Sequence, residues 1–192
     1  ASNTDSDGAN LSRGFVIVNI SSADHVGVNA ILIRLFNSTQ AQVNSTLNTT
    51  FFTSIFVNYS GLSDGLWYFN ATVNDSAGNE NVTATRLVRI DTLVPTWEFG
   101  ATTDVNGSYV ARNFTIVNVT AVEANLANIT IYIINSTQIA NLTTLITSPA
   151  YVNVSNLWEG KHFFNASVKD LGGNVNSTIT RTIVIDTIVP NV

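Results

Sequence analysis

The chain contains the same unit twice. Residues 57–95 read VNYSGLSDGLWYFNATVNDSAGNENVTATRLVRIDTLVP, and residues 152–190 read VNVSNLWEGKHFFNASVKDLGGNVNSTITRTIVIDTIVP; they align without a gap at an offset of 95. Upstream, Phe15-Val16-Ile17-Val18-Asn19 matches Phe114-Thr115-Ile116-Val117-Asn118 at an offset of 99. A unit of this length is enough for one small domain. The 192 residues therefore read as two tandem domains, 1–95 and 96–192.

Within each copy apolar and polar residues alternate, and β-branched residues abound, as strands require. Trp67, Phe69, Ala71 and Val73 share one face, with Tyr68, Asn70, Thr72 and Asn74 on the other. In the second copy His162, Phe164, Ala166 and Val168 oppose Phe163, Asn165, Ser167 and Lys169. The first set of each copy should point inward. Further strands are expected over Phe15–Ser21, Ala30–Phe36, Phe51–Ser60 and Val82–Ile90, with counterparts Phe114–Thr120, Asn128–Ile134, Ala150–Ser155 and Ser177–Ile185. Ile31, Ile33 and Leu35 match Ile129, Ile131 and Ile133 as inward positions, and Val88 and Ile90 match Ile183 and Ile185. Arg86 and Arg181 share that inward parity, so a bulge or an edge position is needed to turn each guanidinium outward. Asp75-Ser76-Ala77-Gly78-Asn79 and Asp170-Leu171-Gly172-Gly173-Asn174 read as turns. No helical period appears. The expected fold is all-β, two tandem immunoglobulin-like β-sandwiches.

Eighteen Asn-x-Ser/Thr triplets stand in the chain, none with Pro in the middle: Asn10, Asn19, Asn37, Asn44, Asn48, Asn58, Asn70, Asn74, Asn81, Asn106, Asn113, Asn118, Asn128, Asn135, Asn141, Asn153, Asn165 and Asn176. With 25 Asn and 41 Ser plus Thr, chance supplies about 5 such triplets. Each is a candidate N-glycan acceptor, which needs a solvated side chain. Five coincide between copies (Asn19 with Asn118, Asn37 with Asn135, Asn58 with Asn153, Asn70 with Asn165, Asn81 with Asn176), and the remaining eight are read as placed differently. N-linked glycans are expected, on an extracellular, cell-surface protein whose role is structural rather than catalytic.

Composition agrees. Charged residues are 11% of the chain, against roughly 25% in ordinary domains, and sugar can supply the missing solubility. A net charge of −5 argues against nucleic acid as partner. Cys and Met are both absent, so no disulfide staples the fold and no thiol chemistry is available. No run of about 18 apolar residues suggests a membrane span.

The string Gly65-Leu66-Trp67-Tyr68-Phe69-Asn70-Ala71-Thr72-Val73-Asn74-Asp75-Ser76-Ala77-Gly78-Asn79, followed by a strand and Asp91-Thr92-Leu93-Val94-Pro95, resembles the tandem immunoglobulin-like repeats of bacterial and archaeal surface proteins. The density of acceptor sites looks more archaeal than bacterial. The second copy departs with His162-Phe163 for Trp67-Tyr68 and Gly172-Gly173 for Ala77-Gly78. In such repeats a first strand follows the Asp-Thr-x-x-Pro link. In copy two it is Thr96-Trp97-Glu98-Phe99; in copy one Ala1 aligns with Gly100, beyond that strand. The reading is a structural repeat of a glycosylated filament or surface layer, a partner for copies of itself, assembling head-to-tail or completed by a neighbour's strand. An adhesin or carbohydrate-binding module, with other surface proteins or glycans as partners, and a spacer in a large surface enzyme are the alternatives.

No catalytic residue is assigned. His25 falls in a loop, His162 at a packed inward position, and neither suggests a nucleophile–His–acid set. Asp5 and Asp7 look like half of a calcium loop but lack the late bidentate Glu, so a solvated turn is preferred. Asp91 and Asp186 beside the Pro links read as turn caps before calcium ligands. No cofactor or metal is therefore expected. Trp67, Trp97, Trp158, Tyr68 and Tyr109 are too scattered for a sugar-stacking platform, and read as packing residues.

Overall fold

The computed structural model describes residues 3–50, 53–135 and 138–192, and every regular element among them is a β-strand. The chain forms two compact units, Ala1–Thr92 and Leu93–Val192. Both are immunoglobulin-like sandwiches.

The first unit comprises β1 (Ala9–Leu11), β2 (Phe15–Ser21), β3 (Val28–Phe36), β4 (Gln42–Asn48), β5 (Ser54–Ser60), β6 (Gly65–Asp75), β7 (Glu80–Val82) and β8 (Arg86–Ile90). Its larger sheet has the order β1-β8-β6-β3-β4, with β7 also on β6; the smaller is the pair β2-β5. The second unit repeats this with β9 (Thr96–Phe99), β10 (Ser108–Val110), β11 (Thr115–Val122), β12 (Leu126–Ile134), β13 (Ile139–Leu145), β14 (Ala150–Val154), β15 (Gly160–Asp170), β16 (Val175–Ser177) and β17 (Arg181–Ile185). The larger sheet runs β10-β17-β15-β12-β13, with β16 on β15, and the smaller runs β14-β11-β9. Among the described residues only β1 on β8 and β10 on β17 pair in parallel.

The alternation read from sequence sets the cores. Ile31, Ile33, Leu35, Phe69, Ala71, Val88 and Ile90 are buried together with Val16 and Val18 of the facing sheet, while Trp67 and Val73 pack against them. In the second unit Ile129, Ile131, Ile133, Phe164, Ala166, Val168, Ile183 and Ile185 are buried with Val117 and Val119. Period two makes each sheet face either all core or all surface.

Three elements differ from expectation. β4 and β13, QVNSTLN and IANLTTL, are edge strands with mostly exposed residues, so no apolar alternation marks them. The expected strand Val82–Ile90 is two strands, because Thr83 leaves the ladder: its N–H donates to the Ala71 carbonyl and its Oγ1 accepts the Ala71 N–H at 3.0 Å. The break does not turn the arginines outward: Arg86 and Arg181 keep the inward parity as the first residues of β8 and β17, opposite Phe69 and Phe164. Arg86 is exposed and donates to the Asp5 carbonyl at 2.9 Å, and Arg181 donates to the Asp104 carbonyl at 3.2 Å. The expected start of a strand at Phe51 and the alignment of Ala1 lie outside the described residues.

The Asp-x-x-Gly-Asn turns are clipped by their own ends. Asp75 accepts from the Asn79 N–H (2.8 Å) and Asn79 Nδ2 (2.6 Å), and Asp170 accepts from the Asn174 N–H (2.8 Å) and Asn174 Nδ2 (2.7 Å). Gly78 at φ 89° and Gly173 at φ 97° supply the left-handed backbone between them. The Asn79 side-chain and backbone bonds hold the Asp75 carboxyl below its ordinary value of 3.8. A carboxyl depressed by folding stabilises the native state above its unfolded pKa, and that contribution disappears as pH falls through the folded value. Acid is therefore expected to open the β6–β7 turn early, read as faster exchange of the Asn79 amide below about pH 4.

Candidate functional site

The acceptor asparagines are spread over both sheets of both units. None of the 18 is buried; Asn44, Asn58, Asn81, Asn106, Asn113, Asn141 and Asn153 are exposed and the others half-buried. The pleat explains this. Asn70 lies between inward Phe69 and Ala71, which are 2% and 0% exposed, and Asn165 lies between inward Phe164 and Ala166, at 0% and 1%. A row that alternates with core residues must face solvent.

Their local chemistry differs. Asn70 Nδ2 donates to Thr85 Oγ1 (3.0 Å) and Asn165 Nδ2 to Thr180 Oγ1 (3.1 Å), the same cross-strand bond in each copy. Asn118 Nδ2 donates to Thr102 Oγ1 at 3.2 Å, and a Cβ at Gly100 would sit 2.5 Å from that nitrogen. Asn176 Nδ2 donates to the Pro95 carbonyl at 2.8 Å. Each of these four amides spends one of its two N–H groups on a protein partner, leaving the other for an N-glycosidic bond.

One correction concerns the number of shared positions. Asn44 pairs with Leu35, and Asn141 with Ile133, the aligned residue of the second unit. They therefore occupy the same register, making a sixth matched pair. The turn between the strands is one residue shorter in the second copy, which hid the match in an ungapped comparison. Ser136 and Thr137 of the Asn135 triplet lie outside the described residues.

The other candidates have structural assignments. Asp5 is no solvated turn: its carboxylate takes the Arg13 guanidinium and, at 2.8 Å, the Ile17 N–H. Asp104 repeats this with Arg112 and the Ile116 N–H at 3.1 Å, and adds Thr115 Oγ1 at 2.8 Å. Arg13 and Arg112 lie over Phe15 and Phe114, 4.2 and 4.4 Å from the ring centroids. Asp7 Oδ1 accepts the Leu87 N–H at 2.8 Å, helping to seat β1 on β8. At the Asp-Thr-x-x-Pro links the threonines are capped by acidic side chains. Thr92 N–H and Oγ1 both reach Asp64 Oδ1 (3.2 and 2.9 Å), and Thr187 is held likewise by Glu159. Among the described residues, no cluster of three His, Asp or Glu side chains converges as a metal site.

His25 is an exposed loop residue, and His162 is 5% exposed, at the inward position read from the pattern. Trp67 and Trp97 pack against their cores. Trp158 and Tyr109 do not; they are 84% and 76% exposed. Sequence reasoning missed Trp158 as a surface residue because it sits in a loop, outside any alternating run.

The two smaller sheets differ by one strand. In the second unit β9 lies antiparallel on β11, with Phe99 opposite Val119 and Trp97 opposite Ala121. The Phe99 ring meets Phe164 edge-on at 6.0 Å, and the Arg181 guanidinium covers it at 4.0 Å. In the first unit β2 pairs with β5 alone among the described residues. Where Phe99 would sit, a cavity of about 150 Å³ is lined by Ile20, Phe69 and Arg86, the counterparts of Val119, Phe164 and Arg181.

No protein-family model matches this sequence, nor does any curated protein sequence. Among solved structures, the chain is similar to the fibronectin(III)-like modules of Clostridium thermocellum CbhA, with a TM-score of 0.54 and 14% identity over 95% of this chain and 92% of that one. Chicken CNTN1 FN1–FN3 domains match at TM-score 0.46 and 10% identity, covering 95% of this chain and 66% of that chain. A 1.5-MDa bacterial ice-binding adhesin matches at 0.44 and 16%, covering 94% and 61%. At 14% identity the likeness to the CbhA modules establishes the fold alone, a fibronectin(III)-like sandwich.

Proposed function

We propose that this chain is a structural repeat subunit of a heavily N-glycosylated extracellular filament or surface layer, archaeal in type, with no catalytic role. The observation that carries this reading is the placement of the 18 acceptor asparagines, none of them buried. A surface with 11% charged residues and this many acceptors is suited to being hydrated by sugar.

Assembly is placed at the edge of β2 that no other described residue pairs. A strand edge beside a slot floored by Ile20 and Phe69 and rimmed by polar side chains invites another strand, whether from residues preceding this segment or from a neighbouring copy. The occupant that fits is a segment like β9, with an aromatic two residues after a tryptophan. It enters antiparallel to β2 with its aromatic ring between Phe69 and Arg86, head-to-tail along an array. The experiment adds a peptide spanning residues 94–100, VPTWEFG, to the whole chain. Saturable slowing of hydrogen exchange at Ile20 and Ser21, lost when the phenylalanine is replaced by serine, is expected. Unchanged exchange at saturating peptide would refute strand addition. Electron microscopy of the native material then shows whether the strand comes from a neighbouring copy.

A further inference from the structure

The two copies differ at one end of the sandwich in a way that exchanges a half-buried indole for an exposed one. In the first unit Trp67 points inward, packs against the core and donates from Nε1 to the Ser63 carbonyl at 2.9 Å. In the second unit the aligned residues are His162 and Trp158. The bond is kept: His162 Nε2 lies 2.8 Å from the Trp158 carbonyl. A carbonyl only accepts, so Nε2 carries the proton and, in the neutral ring, Nδ1 is left as a lone-pair acceptor. That Nδ1 is buried and has no partner in the protein. A smaller ring has replaced the indole inside, and an indole has been placed at the rim, 84% exposed.

Between them lies a groove of about 650 Å³, with Trp158 and His162 in its lining together with Gln138, Asn141, Asn156 and Lys161. The volume falls in the range of small-ligand sites, and the lining joins one aromatic plane to several planar amides. Glu159 also lines the groove, but its carboxylate is engaged by Thr187.

We propose that this groove binds a pyranose ring. The C–H face of a pyranose is apolar and lies flat on an indole, while its rim of hydroxyls bonds the amide groups of the lining. The site belongs to the second unit, because the first has Ser63 where the stacking residue is needed and Trp67 where the ring would enter. Two sources share this chemistry: a saccharide from elsewhere, and a glycan carried on Asn141, itself in the groove wall. The inference does not depend on the function proposed above, since it concerns a free saccharide equally.

The test is nuclear magnetic resonance of the whole unglycosylated chain, titrated with the methyl pyranosides of glucose, mannose, galactose, N-acetylglucosamine and glucuronic acid. A saturable shift of the Trp158 indole N–H with at least one of them is expected, with a Kd of order 1–10 mM as befits a single stacked ring. The Trp67 and Trp97 indoles should stay unmoved. Trp158→Ala should weaken binding by at least tenfold while leaving the fold's spectrum intact. His162→Trp, which restores the first unit's residue and fills the floor, should do the same. Absence of any shift to 100 mM sugar, or wild-type binding by both variants, would overturn the proposal. Glycosylated protein separates the sources. If Trp158 is already protected from acrylamide quenching, and Asn141→Gln exposes it, the ring comes from the chain's own glycan. If Trp158 stays quenchable there and added sugar protects it, the saccharide is external.

Discussion

Replacing Asp104 by alanine is expected to destabilise the second unit by about 3 kcal/mol, the lower end for breaking a buried pair. The Asp104 side chain is only 10% exposed, and it serves Arg112, the Ile116 N–H and the fully buried Thr115 hydroxyl at once. Truncation leaves all three without that acceptor. Arg112 is 28% exposed, so water partly compensates, which places the loss at the low end. Asp104→Asn should recover part of it, since an amide oxygen still accepts but the charge is gone. Asp5→Ala should act on the first unit in the same sense, because Asp5 serves Arg13 and Ile17 in the same way. Hydrogen exchange resolved by strand reads each unit separately; loss of less than about 1 kcal/mol at β11 would show that the pair is not a pin.

The second large effect is at Phe164. Its ring is fully buried among Val117, Ile131 and Ile183, and Phe99 packs against its edge. Phe164→Ala removes apolar burial and leaves a cavity, at a cost of about 3–5 kcal/mol. Phe69→Ala in the first unit removes the same ring, 2% exposed, but among the described residues no aromatic from a third strand covers it. It should cost roughly 1 kcal/mol less, the order of one edge-to-face pair. Adding the 94–100 peptide should close that difference by filling the slot beside Phe69. Equal costs in the absence of peptide would mean that β9 contributes no packing to its unit.

Much of this architecture was legible from the chain. Phe69 and Phe164, Ile33 and Ile131, Val88 and Ile183 all stand inward as period two requires, because a sheet with one buried face forbids a one-residue slip. The strand Thr96–Phe99 was legible from its place after the Asp-Thr-x-x-Pro link. Edge strands β4 and β13 were not, since the first four residues of each are exposed on both faces and need no alternation. The short parallel strands β1 and β10 were likewise hidden; residues distant in sequence, Asp7 with Leu87 and Asn106 with Thr182, tie them down. Of the candidate site, the outward parity of Asn70 and Asn165 could be read directly. What could not be read was which amides are already engaged, because Thr85, Thr180 and Pro95 come from other segments. Nor could the sequence tell Trp158 from a packing residue, as loop side chains obey no period.

The central claim is that paired sheets bury one face and present acceptor asparagines on the other for glycosylation. Intact glycopeptide mapping of the protein isolated from its native source tests it most directly. The expected map has sugar on Asn44, Asn58, Asn81, Asn106, Asn113, Asn141 and Asn153, the exposed set. It has the lowest occupancy at Asn118 and Asn176, which are half-buried and whose amides donate within the fold. A map with unmodified asparagine throughout the exposed set would contradict the account.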